Sequence, residues 1–446
     1  MASNPSLHQQ LELGLKQALA AIRWERIHDF GPEEDRFPEG RAPVLAERPN
    51  IDLAVLAFDH NDTLVAAANV LVSRDAPRGF VVKISDDLNA TNVVWQRWNQ
   101  KRWDGEEHWE GGGADASADQ LLGGTPGRNN LPFMCPYPAS VFKLIVAEFV
   151  LHEVDQGAMD FDQVRSDLGA MIRVSSNEAT CRLLATLHRQ GSIERMNQRL
   201  QQRGLGTLQI QDTEPESGER WQVDRITMTG LHTAKLLWSL KNNTPSKVLW
   251  RNEDGTPIRS ELSKQSRRFL LLLLSEQALN EALSSSNFGA YRSGDKRYGA
   301  KNVKLGIPAA VPECWIDADT GMVRFETDGT ALNYGIDVRP FNSNGATCTF
   351  SHKTGLTYNF GADAGIVEAT DGSGNYSYVV AMFSNLGYRY TDRQFAGQKS
   401  YPLYGEPSIA YTQEIPRLGN NIDQLMHQLL AKPQATAESD RATTRL

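Results

Sequence analysis

The chain has 446 residues, 40% of them hydrophobic, enough to bury a core in one large domain or two modest ones. Its formal net charge is −8, from 46 Lys and Arg against 54 Asp and Glu, and no basic block stands out, which argues against a nucleic-acid partner. The richest apolar run, Phe269–Leu274, is far too short to span a membrane, and the opening "MASNPSLHQQ" lacks the basic and apolar regions of a secretory leader. A full-length chain of this kind is expected in the cytoplasm; one whose leader has been removed would be periplasmic or secreted.

In chain order, Leu7–Glu25 has helical periodicity and opens an N-terminal helix and arm over 1–48. "IDLAVLAFD" and "TLVAAANVLVS" read as two strands joined by the turn "HND", and "GFVVKIS" as a third. An insertion over 75–131 carries Trp95, Trp98, Trp103 and Trp109. These rings either pack a surface hairpin, which is preferred, or offer a stacking surface for a sugar or ligand ring. From Ser140 to Leu283 the spacing of three and four predicts a mainly helical region, the last helix running from Ser266 to Leu283. "NFGAYRSGDKRYG" reads as a loop. Strand patterns return at "MVRFET", "ATCTFSHKTG", "DAGIVEAT" and "SYVVAMFSN", followed by a helix at "NIDQLMHQLLA" and a polar, disordered tail over 433–446. Strands at both ends of a helical middle predict an α+β fold. One antiparallel sheet is built from N- and C-terminal segments and packed with helices, beside a helical subdomain, with the main domain spanning 49–432.

Four cysteines, Cys135, Cys181, Cys314 and Cys348, form neither a CxxC pair nor a cluster with histidine, so neither metal nor organic cofactor is expected. Free, buried thiols are the preferred reading, with a Cys314–Cys348 bridge at the base of a second insertion over 314–348 as the alternative.

Chemistry concentrates in "YPASVFKLIV", Tyr137–Val146. If Ser140 sits in the first turn of a helix, Lys143 lies on the same face, beside its hydroxyl. Burial and the positive helix end both favour a neutral amine there, able to accept the serine proton. The N–H groups of that turn can hold a developing oxyanion. S-x-x-K also occurs at Ser293–Lys296, so the motif needs context. Ser175, Ser176 and Asn177 at a helix boundary, and Lys353, Thr354 and Gly355 where a strand meets a turn, supply it.

In the order S-x-x-K, S-x-N, K-T-G, the chain resembles class A serine β-lactamases and their low-molecular-weight penicillin-binding relatives. The resemblance covers Ile51–Ser73 and Pro136–Ser384, interrupted by insertions. It implies that Ser140 is acylated, Lys143 assists its deprotonation, and Ser175 relays a proton to the leaving nitrogen. Asn177 would hold the substrate amide, and Lys353 and Thr354 the substrate carboxylate. The N–H groups of Ser140 and Leu356 would form the oxyanion hole, with Gly355 leaving room for the acyl group. In "DTEPESG" the resemblance reaches Glu214, the expected deacylating base, although Ser217 and Gly218 replace the family's Leu and Asn. Asp212 and Arg225 are expected to form a salt bridge clamping that loop, with the family's charges exchanged.

Several departures bear on the substrate. Only 35 residues separate Ser140 from Ser175, which implies an open cleft. "DAGIV" offers Asp363 and Ala364 where the family has an arginine. The 314–348 insertion reads as hairpins able to form a lid or a partner surface. The expected activity is β-lactam hydrolysis through an acyl-enzyme, acting on a small-molecule or peptide-like amide. The alternatives are a D-alanyl-D-alanine peptidase, esterase or transacylase with the same nucleophile, or a non-hydrolysing penicillin-binding receptor or scaffold.

Overall fold

The computed structural model describes residues 5–29, 31, 42–107, 117–127, 129–284, 306–334, 337–370, 376–392 and 414–430. The "SGDK" copy of the motif, the loop around it, Trp109 and the tail lie outside these residues.

The alternating apolar segments at the two ends of the chain meet in one sheet. Strands β1 (Ile51–Phe58), β2 (Leu64–Val72) and β3 (Phe80–Val81) come from the N-terminal part. A separate two-stranded hairpin, β4 (Val323–Thr327) and β5 (Thr330–Tyr334), comes from the second insertion. Strands β6 (Cys348–Leu356), β7 (Gly361–Ala369) and β8 (Ser377–Ser384) complete the large sheet. Its order is β6-β7-β8-β1-β2-β3, antiparallel throughout. Every residue of β1 and β8 is buried. A strand's period of two sends alternate side chains to opposite faces, so a fully buried strand needs cover on both.

Two helical layers provide it. On one face, α1 (Leu7–Ala20), held at its start by a Ser6–Gln9 capping box, shares a core with Leu53, Val55, Val380 and Met382. On the other face lie α2 (Lys143–Asp155), α3 (Phe161–Arg173), α4 (Asn177–Arg189), α5 (Ser192–Gln202), α6 (Gly230–Lys241) and α7 (Lys264–Ser275). Their core takes in the alternate strand residues Ala54, Leu56, Ala381 and Phe383. The last helix, α8 (Glu414–Leu430), returns to α1, where Glu414 receives the Arg23 guanidinium at 2.6 Å. The expected α+β architecture is what the chain adopts.

Three boundaries differ from expectation. The N-terminal helix stops at Ala20 rather than Glu25, and the third strand shrinks to Phe80–Val81. Helix α7 stops at Ser275, not Leu283. Beyond it the backbone finds partners outside any helix: the Ala278 N–H donates to the Arg173 carbonyl at 2.8 Å, and the Leu283 N–H to Asp363 Oδ2 at 3.1 Å. Ala278, Ala282 and Leu283 are fully buried, so their apolar spacing records burial of an irregular segment. No disulfide forms: all four cysteines are free, Cys135 and Cys348 buried, Cys181 half-buried and Cys314 exposed. Trp95, Trp98 and Trp103 are packed inward, with Trp98 5.4 Å from Trp103 and 5.1 Å from Phe360, as the packing reading expects.

Candidate active site

Pro138 precedes a 3₁₀ turn, Ala139–Phe142, which runs directly into α2. Ala139, fully buried, is held at φ +47°, a left-handed conformation that costs a residue with a Cβ on the order of 1–3 kcal/mol. The bend turns Ser140 into a cavity of about 170 Å³, which Ser175, Asn177, Thr354 and Leu356 also line. Three remote segments therefore meet, as the motif order requires.

The two lysines of the motifs are fully buried and converge on one hydroxyl. Lys143 Nζ reaches the Ser175 carbonyl at 2.6 Å, Ser175 Oγ at 3.2 Å and Asn177 Oδ1 at 2.8 Å. Lys353 Nζ lies 3.0 Å from the same Ser175 Oγ and 2.7 Å from the Thr354 carbonyl. Ser175 holds φ +59°, just before Ser176 caps α4 through the Ala179 N–H at 3.1 Å. Burial, then the neighbouring Lys353 charge, holds the Lys143 amine well below its ordinary range. Burial likewise lowers Lys353 to about 7, against the pull of Asp363 and Glu281. A neutral Lys143 has two N–H donors and one lone pair. The Ser175 carbonyl and Asn177 Oδ1 take the two donors. Ser175 Oγ lies 3.2 Å from the same amine and accepts from Lys353 at 3.0 Å.

No hydrogen bond joins the Ser140 hydroxyl to the Lys143 amine. Three acceptors from residues 175 and 177 hold the amine, and the Ser140 hydroxyl has no hydrogen-bond partner among the described residues. Gly355 is also required by the packing of the fold itself. A Cβ there would stand 2.5 Å from the Pro138 carbonyl and 2.9 Å from the Ser140 nitrogen, so only glycine lets β6 pass the turn that carries Ser140. The Thr354 hydroxyl donates to the Leu279 carbonyl at 2.7 Å and meets a ligand acceptor only after rotating.

The loop bearing Glu214 is closed at its base, with Arg225 Nε 3.2 Å from Asp212 Oδ2 as expected. Gly218 seats it against α4, where a Cβ would come within 2.2 Å of the Cys181 carbonyl. Glu214 is half-buried and acts electrostatically on His188. The ionisable side chains that act on Lys143 are Lys353 and Asp328. What the loop brings to Lys143 is the Trp221 ring, 5.7 Å from its amine and 5.1 Å from Phe142.

Two acids absent from the sequence reading line the cavity. Glu281 is buried, and desolvation raises its carboxyl to about 7 against the opposing Lys353 charge. Asp328, at the tip of the β4–β5 hairpin, accepts from the Ser176 hydroxyl and, at 3.0 Å, from the Asn177 N–H. "TDGT" marks a tight turn, but no spacing rule connects it to a helix start 151 residues away. Among the described residues there is no metal-ligand cluster and no helix long and apolar enough to cross a membrane.

Neither a scan of protein-family models nor a search of curated proteins finds a match. Solved structures do. An acyl-enzyme complex of a PBP-A mutant with penicillin G is 14% identical, over 94% of this chain and 96% of that one, with a TM-score of 0.42. A β-lactamase from Sphaerobacter thermophilus DSM 20745 is 12% identical over 94% and 99%, also at 0.42. A halotolerant bacterial β-lactamase is 13% identical over 85% and 94%, at 0.36. These scores fall below 0.5, and the functional reading rests on the geometry of the site itself.

Proposed function

We propose that the chain is a serine acyl-enzyme former of the penicillin-recognising kind, with Ser140 as nucleophile. The observation that carries this reading is the Ser175 hydroxyl, shared by two buried amines and opening with Ser140 on one cavity. Ser140 Oγ attacks the carbonyl carbon of an amide or ester, and its proton passes to neutral Lys143. The Ser140 and Leu356 N–H groups receive the oxyanion. The bond to the leaving group breaks, and Ser175 delivers the proton to the departing atom, polarised by Lys353. Asn177 and the Lys353–Thr354 pair orient the substrate.

Deacylation divides two readings. Of the Glu214 loop, the Trp221 ring lies 5.7 Å from Lys143 while Glu214 acts on His188, which favours a slowly released acyl-enzyme, as in a peptidase, transacylase or receptor. The Asp212–Arg225 clamp favours the second reading, β-lactam hydrolysis with Glu214 as the base, because it fixes the loop that carries this acid. Incubation with a chromogenic cephalosporin, followed by colour and intact mass, separates them. A persistent adduct, unaltered by Glu214→Gln, supports the first. Rapid turnover that becomes a trapped adduct in Glu214→Gln supports the second. No adduct, from this reagent or from p-nitrophenyl esters, overturns both.

A further inference from the structure

The second insertion forms one wall of the cavity, and its side chains have a consistent chemistry. Residues Asp328 and Gly329, at φ +48° and +73°, make the two-residue turn between β4 and β5, leaving Thr327 opposite Thr330 and Phe325 opposite Leu332. Partners directly across an antiparallel pair share a face. Here that face carries Phe325, Thr327 and Leu332 toward the cavity, while Arg324 and Glu326 point away from it.

The hairpin is fixed at both ends. At the tip, the Asp328 carboxylate binds the Ser176 hydroxyl and the Asn177 N–H, directly after Ser175. A carboxylate on the first N–H groups of α4 is also favoured by the helix dipole. At the base, Val323, Phe325, Leu332 and Val338 share a small core with Val174 and Ala278. Trp315 braces it, with its ring 6.1 Å from Phe325 and its indole N–H donating to the Glu276 carbonyl at 2.7 Å. Among the described residues the buried Thr327 hydroxyl oxygen has no hydrogen-bond partner.

We propose that this hairpin is the substrate-selecting wall of the cleft, pinned in place by Asp328, and that it favours an amide or ester whose acyl group carries an apolar substituent. Phe325 and Leu332, continued by Val174 and Leu279, receive that substituent. The Thr327 hydroxyl meets a polar atom beside it, since a buried hydroxyl left unpaired is costly. Asp328 acts as a positioning residue, because its carboxylate is committed to the start of α4. The proposal rests on the acyl-enzyme reading and deepens it.

The test uses p-nitrophenyl acetate, butyrate and hexanoate on the full chain. In each, a bond forms from Ser140 Oγ to the acyl carbon, p-nitrophenolate leaves, and the serine proton passes to Lys143. The rate is read after subtracting that of Ser140→Ala, and the adduct is located by mass. The unaltered protein should prefer butyrate to acetate by about 100-fold in kcat/KM, since butyrate adds two methylenes and each is worth roughly tenfold when buried in an apolar pocket. Phe325→Ala or Leu332→Ala should bring that ratio toward one, whichever way the absolute rates move. Phe325→Leu and Asp328→Asn, which keep the bulk of the core, should reduce it in part if the larger truncations fail to fold. A Ser140 adduct that forms at the same rate from all three esters, or a preference intact in all these variants, overturns the proposal and leaves the acyl-enzyme reading standing. Absence of any Ser140 adduct, from the esters and from a chromogenic cephalosporin alike, overturns that reading and the proposal with it.

Discussion

Lys143 is a fully buried amine within reach of three oxygens and no carboxylate partner of its own, so its neutral form is the one the site favours. In the proposed mechanism the neutral form is also the base. Acylation should therefore rise with pH through a limb lying well below lysine's ordinary 10.5, and reach its plateau before that value. A limb at the ordinary value in a stopped-flow pH series would show that the amine is not the base. Lys143→Ala should slow acylation by roughly 10²- to 10⁴-fold, the usual worth of a positioned general base. Gly355→Ala should both slow acylation and destabilise the fold by about 1–3 kcal/mol, because its Cβ has no space beside the Pro138 carbonyl and the Ser140 nitrogen. Denaturant midpoints and acylation rates on the same variant check this; an unperturbed variant would mean that β6 can move away. At this scale the motif residues were legible in the sequence, because a hydroxyl three residues before a lysine is a local pattern. Asp328 and Trp221 were not, because each acts on residues far from it in the chain. The reason for Gly355 was also out of reach, since it depends on which backbone lies opposite.

Elements are joined by buried charge as well as by apolar packing. Glu148 on α2 lies between Arg199, at 2.7 and 2.9 Å, and Arg203, at 3.0 Å, from the end of α5. Burial would raise its carboxyl, yet the two guanidiniums win and hold it down at about 2. A depressed carboxyl stabilises the fold above its unfolded pKa, near 4.5, and that contribution is lost as pH falls through 2. Glu148→Gln should cost about 1.5–3 kcal/mol at pH 7, since it removes the charge-assisted bonds to Arg199 and Arg203 while Glu261 still pairs with Arg199 at 2.6 Å, and the loss should shrink toward pH 2. Urea denaturation at the two pH values measures it; an equal loss at both would point to packing instead of charge. Helical spacing and the apolar strand runs were readable because both are local patterns. The false extension of α7 to Leu283 came from apolar spacing that burial alone imposes on an irregular segment.

At the scale of the whole molecule, the two ends of the described chain close the face of the sheet opposite the cavity. Helix α8 places Ile415, Leu418, Ile422 and Met426 against α1 and the strands, all fully buried. Ile422→Ala should cost about 2–5 kcal/mol in a denaturation midpoint, the usual range for a buried aliphatic truncated to Ala, while leaving the site's residues in place. An unchanged midpoint would mean that this helix is not part of the cooperative core. That strands from both ends share one sheet followed from their apolar alternation on either side of a helical middle. The place of the hairpin did not, because its anchor is a pair of hydrogen bonds to the start of α4, and polar pairs across such distances leave no periodic trace in a sequence.

The central claim is that Ser140 becomes acylated. The direct measurement is peptide mapping by mass spectrometry after brief exposure of the full chain to a penicillin, beside Ser140→Ala. The account predicts one adduct of the penicillin's mass on the peptide containing Ser140, absent from the variant. An adduct on another residue, or equal labelling of Ser140→Ala, would contradict it.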